Sequence, residues 1–155
     1  MSVARVFRPD NRLAKILDGA DPASAQELVA AAEGRVTELG ESLRGYVREK
    51  LPVILSFQGA REDELFGGCR ILGEAALGVA EVAGAANMGA IGEIARGLSA
   101  MVAGLDATGA WHSEAVKVHI DALAIVSRGD GARTPENDIV LARLAAMRSA
   151  LGVAE

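Results

Sequence analysis

The chain has 155 residues, half of them apolar, and a net charge of −5 from 16 basic and 21 acidic side chains. That size implies one folded domain, the apolar fraction excludes disorder, and the acidic balance argues against a nucleic-acid binder, which carries a basic footprint. Aromatic residues are confined to Phe7, Tyr46, Phe57, Phe66 and Trp111, so the core must come from Ala, Leu, Val, Ile and Met, a composition of packed helices rather than of sheet.

Residues 1–20 read as an N-terminal arm with Arg5, Arg8, Arg12 and Lys15, and with one short helix over Asn11–Leu17 stopped near Gly19. Residues 21–155 read as a helical bundle. Its first helix opens at Asp21-Pro22, capped by Asp21 or Ser24, and carries Leu28, Ala32, Val36, Leu39, Leu43, Tyr46 and Val47 as one buried stripe. Pro52 should kink or end it. A second long helix is predicted from about Arg61 into the low eighties, with a seam of Leu65, Cys69, Leu72, Ala76 and Val79. After a break at Asn87-Met88-Gly89, a third carries Ile91, Ile94, Ala95, Leu98, Met101 and Val102, with Gly104 placed to stop it. Ser113 is the expected cap of a fourth, holding Val116, Ile120, Leu123 and Ile125 or Val126. Thr134-Pro135-Glu136 starts a last helix with Ile139, Val140, Leu144, Met147 and Leu151. Short connections imply antiparallel neighbours, and no segment alternates for long enough to be a strand.

The single Cys69 excludes a disulfide framework and a cysteine-rich zinc site, and fits a reducing cytoplasm. Glu74, Glu81, Glu93 and Arg96 interrupt the apolar stretch 71–105, so no uncharged run reaches the roughly 18 residues of a membrane span. No apolar signal region follows the basic N-terminus. The expected setting is therefore cytoplasmic, with neither membrane nor nucleic acid as partner.

Motifs of the usual enzyme chemistries are missing from the sequence: no phosphate loop, no HExxH, no Glu-x-x-His and no nucleophile elbow. No cofactor and no metal are therefore expected. Glu74 and Glu81 share a helix face but read as solvated carboxylates. His112 and His119 lie two turns apart without a third or fourth ligand at a recognisable spacing. His112 reads as a capping or surface residue, and His119 as a core residue with one nitrogen hydrogen-bonded.

The stretch Ala80-Glu81-Val82-Ala83-Gly84-Ala85-Ala86-Asn87-Met88-Gly89-Ala90 resembles the signature of histidine-containing phosphotransfer (HPt) domains, His-x-Leu-Lys-Gly-Ser-Ala-x-x-Leu-Gly. Gly84, Ala86, Met88 and Gly89 match in place or kind, and Ile94-Ala95-Arg96-Gly97-Leu98 resembles the helix that follows. Val118–Leu123 is similar to a late helix of such proteins in alphaproteobacteria. The resemblance implies an all-α, antiparallel four-helix bundle with an additional N-terminal helix, and a partner that is a response-regulator receiver or a histidine-kinase domain. A second, shorter resemblance links Phe7-Arg8-Pro9 and Asn11–Leu17 to CheE, the accessory proteins encoded in alphaproteobacterial chemotaxis operons.

The departures from the motif bear on mechanism. The phospho-accepting histidine falls on Ala80 and its supporting lysine on Ala83, followed by Gly84. A methyl group is no nucleophile, and phosphoryl transfer needs fixed positive charge beside the moving oxygens. The expectation is thus a degenerate phosphotransfer site without catalytic residues, in a protein that binds its partner without taking a phosphoryl group. Gly73, Leu77, Ala80 and Gly84 form a strip of mostly small residues beside the core seam, read either as the partner-binding face, with Ala80 pointing outward, or as small residues that only allow tight packing inside the bundle. Two alternatives stand beside this one. An active phosphotransferase would use His112 or His119, and a structural, oligomeric helical protein would bury the strip.

Overall fold

The computed structural model describes residues 22–153. Among them there is no strand, and the elements run α1 (Pro22–Leu55), α2 (Glu62–Gly67), α3 (Cys69–Val82), α4 (Gly89–Thr108), α5 (Ser113–Val126) and α6 (Pro135–Ala150). The all-α class expected from composition is the one observed. The expected short helix over Asn11–Leu17 and the cap at Asp21 lie outside the described residues.

The chain divides into two units, Met1–Glu38 and Leu39–Glu155, and α1 passes from one to the other. In the first unit every residue from Gln26 to Glu38 is exposed, Leu28 and Val36 by 68% and 70%. The stripe expected to be buried is therefore open over this half of the helix. In the second unit α1 does turn inward, through Val47, Leu51 and Ile54. Pro52 does not end it. Pro52 and Arg48 both lie on the exposed side, where the hydrogen bond that proline removes falls toward water, and the helix continues to Leu55.

The helix expected from Arg61 to the low eighties is two helices. Gly68 separates α2 from α3, and a Cβ at that position would run into the ring of Phe57. The seam is otherwise as expected, with Leu65, Leu72, Ala76 and Val79 buried and Cys69 half-buried.

Helix α4 is the centre of the second unit. Ala90, Ile91, Gly92, Ile94, Ala95, Gly97, Leu98, Met101 and Val102 are all buried, leaving little of its surface to water. A helix apolar on nearly every side has to sit between others. It packs against α3, α5 and α6. No side chain caps its start. Instead the carbonyl of Gly131, in the loop before α6, accepts from the amides of Ala90 (3.0 Å) and Ile91 (3.4 Å). Its end is not Gly104 but Gly109, which takes the left-handed conformation (φ 71°) that closes a helix.

In α5, Val116, Ile120, Leu123 and Val126 face inward while Ile125 is exposed. Ser113 does not cap it; its hydroxyl donates to Glu62 instead (3.2 Å). The start of α6 is as the sequence predicts, with Thr134 Oγ1 accepting from the Asn137 amide at 3.2 Å and Pro135 in the first turn. Of its expected stripe, Leu144 is buried and Val140 and Met147 are half-buried against the core, while Ile139 and Leu151 are exposed; Leu141 and Arg148 are buried in addition. No helix among the described residues is long and apolar enough to cross a membrane.

Candidate functional site

The residues of the expected degenerate phosphotransfer position lie where α3 crosses α4. Ala80 is only 5% exposed and Ala83 is fully buried, both within the core. A Cβ on Gly92 of α4 would come 3.0 Å from the Ala83 methyl and 3.9 Å from the Ala80 carbonyl oxygen. The small side chains here let two backbones approach, which corrects the expectation that Ala80 points outward. Arg96 reinforces the crossing by donating from Nη2 to the Ala80 carbonyl at 3.4 Å.

The strip proposed from spacing accordingly divides. Gly73 faces α4, since a Cβ there would come 2.8 Å from Val102 Cγ1. Gly73 and Ala80 thus serve internal packing rather than a partner. Leu77 is 51% exposed and Gly84 opens onto empty space, so these two are accessible. Glu74 and Glu81 on the same helix are exposed, as read from sequence, with Glu74 paired to Arg70 at 3.1 Å.

The two histidines differ sharply. His112 is half-buried at the position preceding α5, with no capping bond from its side chain. His119 is completely buried. Its Nδ1–H donates to the Ala115 carbonyl at 2.8 Å, which leaves Nε2 as an acceptor for Nη1 of Arg148 at 3.3 Å. Burial holds the imidazole below its ordinary pKa; the bond to Ala115 works in the opposite direction, and the Arg148 charge adds to the lowering. His119 is therefore a neutral ring with both nitrogens occupied. The expected single hydrogen bond is present, and the second, to Arg148, was not foreseen.

Arg148 and Gly97 are the members of this cluster that sequence reading missed. A Cβ on Gly97 would run into Arg148 Nη1 and lie 2.9 Å from His119 Nε2, so the glycine is what admits both side chains beside α4. A signal existed. Arg148 continues the 3–4 spacing of Leu141 and Leu144, and a cation at a core position calls for a partner. A cleft of about 210 Å³ lies over it, lined by Glu93, Arg96, Gly97, Ala100 and Arg148. Glu93 is held by Arg133 at 2.7 Å, and Arg133 in turn pairs with Asp138 at 2.8 Å.

Chemically, the cluster offers guanidinium donors, a neutral, enclosed imidazole and, on the cleft wall, the Glu93 carboxylate held by Arg133. Compared with known families, curated proteins and solved structures, the chain has no match.

Proposed function

We propose that the chain is a non-catalytic signalling module of the phosphotransfer-domain type, a four-helix bundle that binds a response-regulator receiver or histidine-kinase domain without accepting a phosphoryl group. The observation that carries this reading is the state of His119, fully buried with both ring nitrogens engaged. A phosphoryl acceptor needs a ring nitrogen open to the incoming phosphorus, and a receiver must reach it. The motif positions Ala80 and Ala83 bear methyl groups, which accept no phosphoryl group, while their burial against α4 departs from the outward position that the resemblance implies. On this reading the docking face is carried by Leu77 and Gly84, with the exposed carboxylates of Glu74 and Glu81 on the same helix as Leu77.

The test is a binding screen against purified receiver and kinase domains, run alongside phosphotransfer from an autophosphorylated kinase. Binding is expected without acid-labile label on this chain, and Leu77→Glu should weaken it by about 2 kcal/mol, as loss of a central anchor does. Label that disappears in His112→Ala or His119→Ala would overturn the reading, as would failure of every receiver and kinase domain to bind.

A second reading, a self-associating helical protein, is favoured by the open apolar residues Leu28, Val29 and Val36. The same face on a second copy would be a self-complementary partner. Sedimentation separates the two: a dimer that Val36→Glu dissociates supports self-association, and a monomer excludes it.

A further inference from the structure

We infer that the cleft between α4 and the C-terminal end of α6 binds a small oxyanion, phosphate or carboxylate, held by Arg148 from its floor and Arg96 from its rim. The inference is independent of the docking face described above.

Arg148 is 6% exposed, and a guanidinium is taken out of water at high cost unless its charge and donors are met. Five N–H groups are available to it. One, on Nη1, donates to His119 Nε2. That bond orients the guanidinium but does not neutralise it, because the imidazole is uncharged. Among the described residues no carboxylate lies within 4.0 Å of the Arg148 nitrogens. The carbonyl end of α6 offsets part of the positive charge, yet it supplies no anion.

The space above Arg148 has the right character for one. The cleft of about 210 Å³ is several times the roughly 30 Å³ that one water occupies, so a tetrahedral or planar oxyanion has room. Arg96, exposed on the next turn of α4 from Ala100, uses one donor in a long bond to Ala80 and keeps the rest. The carboxylate on the rim, Glu93, is already engaged by Arg133. Two guanidiniums thus line a cleft whose carboxylate is spoken for. Their planar forks match the paired oxygens of phosphate and carboxylate. Gly97 completes the arrangement, because any side chain there would displace Arg148 from the floor.

The experiment titrates the full chain with inorganic phosphate and, separately, with acetate at constant ionic strength. Two quantities are read: the His119 ring resonances, which are coupled to the proposed ligand through Arg148, and the melting temperature. A saturable shift of the His119 signals with a rise in Tm is expected, and whichever anion produces it at lower concentration identifies the source. Arg148→Met should abolish the effect. Arg96→Gln, at an exposed position, should weaken binding about fivefold, and Glu93→Gln should tighten it by removing the rim charge. These two variants decide the matter if Arg148→Met does not fold. The inference fails if neither anion gives a saturable shift, or if Arg96→Gln and Glu93→Gln leave the dissociation constants unchanged, which is what a purely structural Arg148 would produce.

Discussion

Helix α4 and the first half of α1 draw on the same alphabet of Ala, Leu, Val and Gly, and they end in opposite surroundings. In α4 apolar residues occupy almost every direction, and it is enclosed. Between Gln26 and Glu38, α1 carries one apolar line among Glu27, Glu33, Arg35 and Glu38, and none of it is covered by described residues. A stripe states that a helix is able to pack on one side; apolarity all round leaves it no alternative. Helix α1 has 34 residues, against 14 to 20 for α3, α4, α5 and α6.

The sharpest way to break this contrast is to treat the enclosed side as if it were open. The double change Ala80→His with Ala83→Lys, harmless if position 80 faced water, should instead cost about 4 kcal/mol or prevent folding. It inserts two polar side chains where α3 and α4 nearly touch. Chemical denaturation measures it, and an unchanged midpoint would place Ala80 on the surface. Next in size is Ile94→Ala, within the fully buried part of α4, expected to lose about 3 kcal/mol in the same measurement.

Acid should find the same enclosed region. The native His119 resists protonation, whereas in the unfolded chain it takes up a proton near its ordinary value of about 6.5. Its stabilising contribution is therefore complete above that pH and is lost as the pH falls below it, by at most about 1.4 kcal/mol per pH unit. His119→Gln should flatten the stability profile between pH 7.5 and 5.5, a range bracketing the histidine titration. An unchanged slope would show that another group governs it. The smallest effect belongs to the open helix: Val36→Ala should change monomer stability by less than about 0.5 kcal/mol. A loss comparable to that of Ile94→Ala would mean that something covers the stripe.

The helices were legible in the sequence wherever spacing and punctuation agreed. Thr134-Pro135 marks a start by local chemistry alone, and Val116, Ile120, Leu123 and Val126 declare their face by period. Reading failed where spacing alone did not fix a boundary. The two helices meet at Gly68, where a Cβ would run into the Phe57 ring, and α4 runs past Gly104 to the left-handed Gly109. Ala80 failed for a different reason. A small residue on a helix is equally compatible with an open face and with a close crossing, and only the opposing Gly92 settles which. Arg148 is hard to read because a charged side chain ordinarily signals solvent, although its position follows that of Leu144 by one turn.

The start of α4 carries a consequence for the order in which the fold is made. Its first amides are met by the carbonyl of Gly131, some 40 residues later in the chain, rather than by a neighbouring side chain. A ribosome delivers the whole of α4 well before that acceptor has emerged. The nascent helix therefore has an unsealed first turn until α5 and the loop after it have been made and have returned to it. Closure of this turn is a long-range event of the slow kind that contact order measures. A chain stopped at Gly109 would hold every residue of the central helix and still lack the group that finishes it.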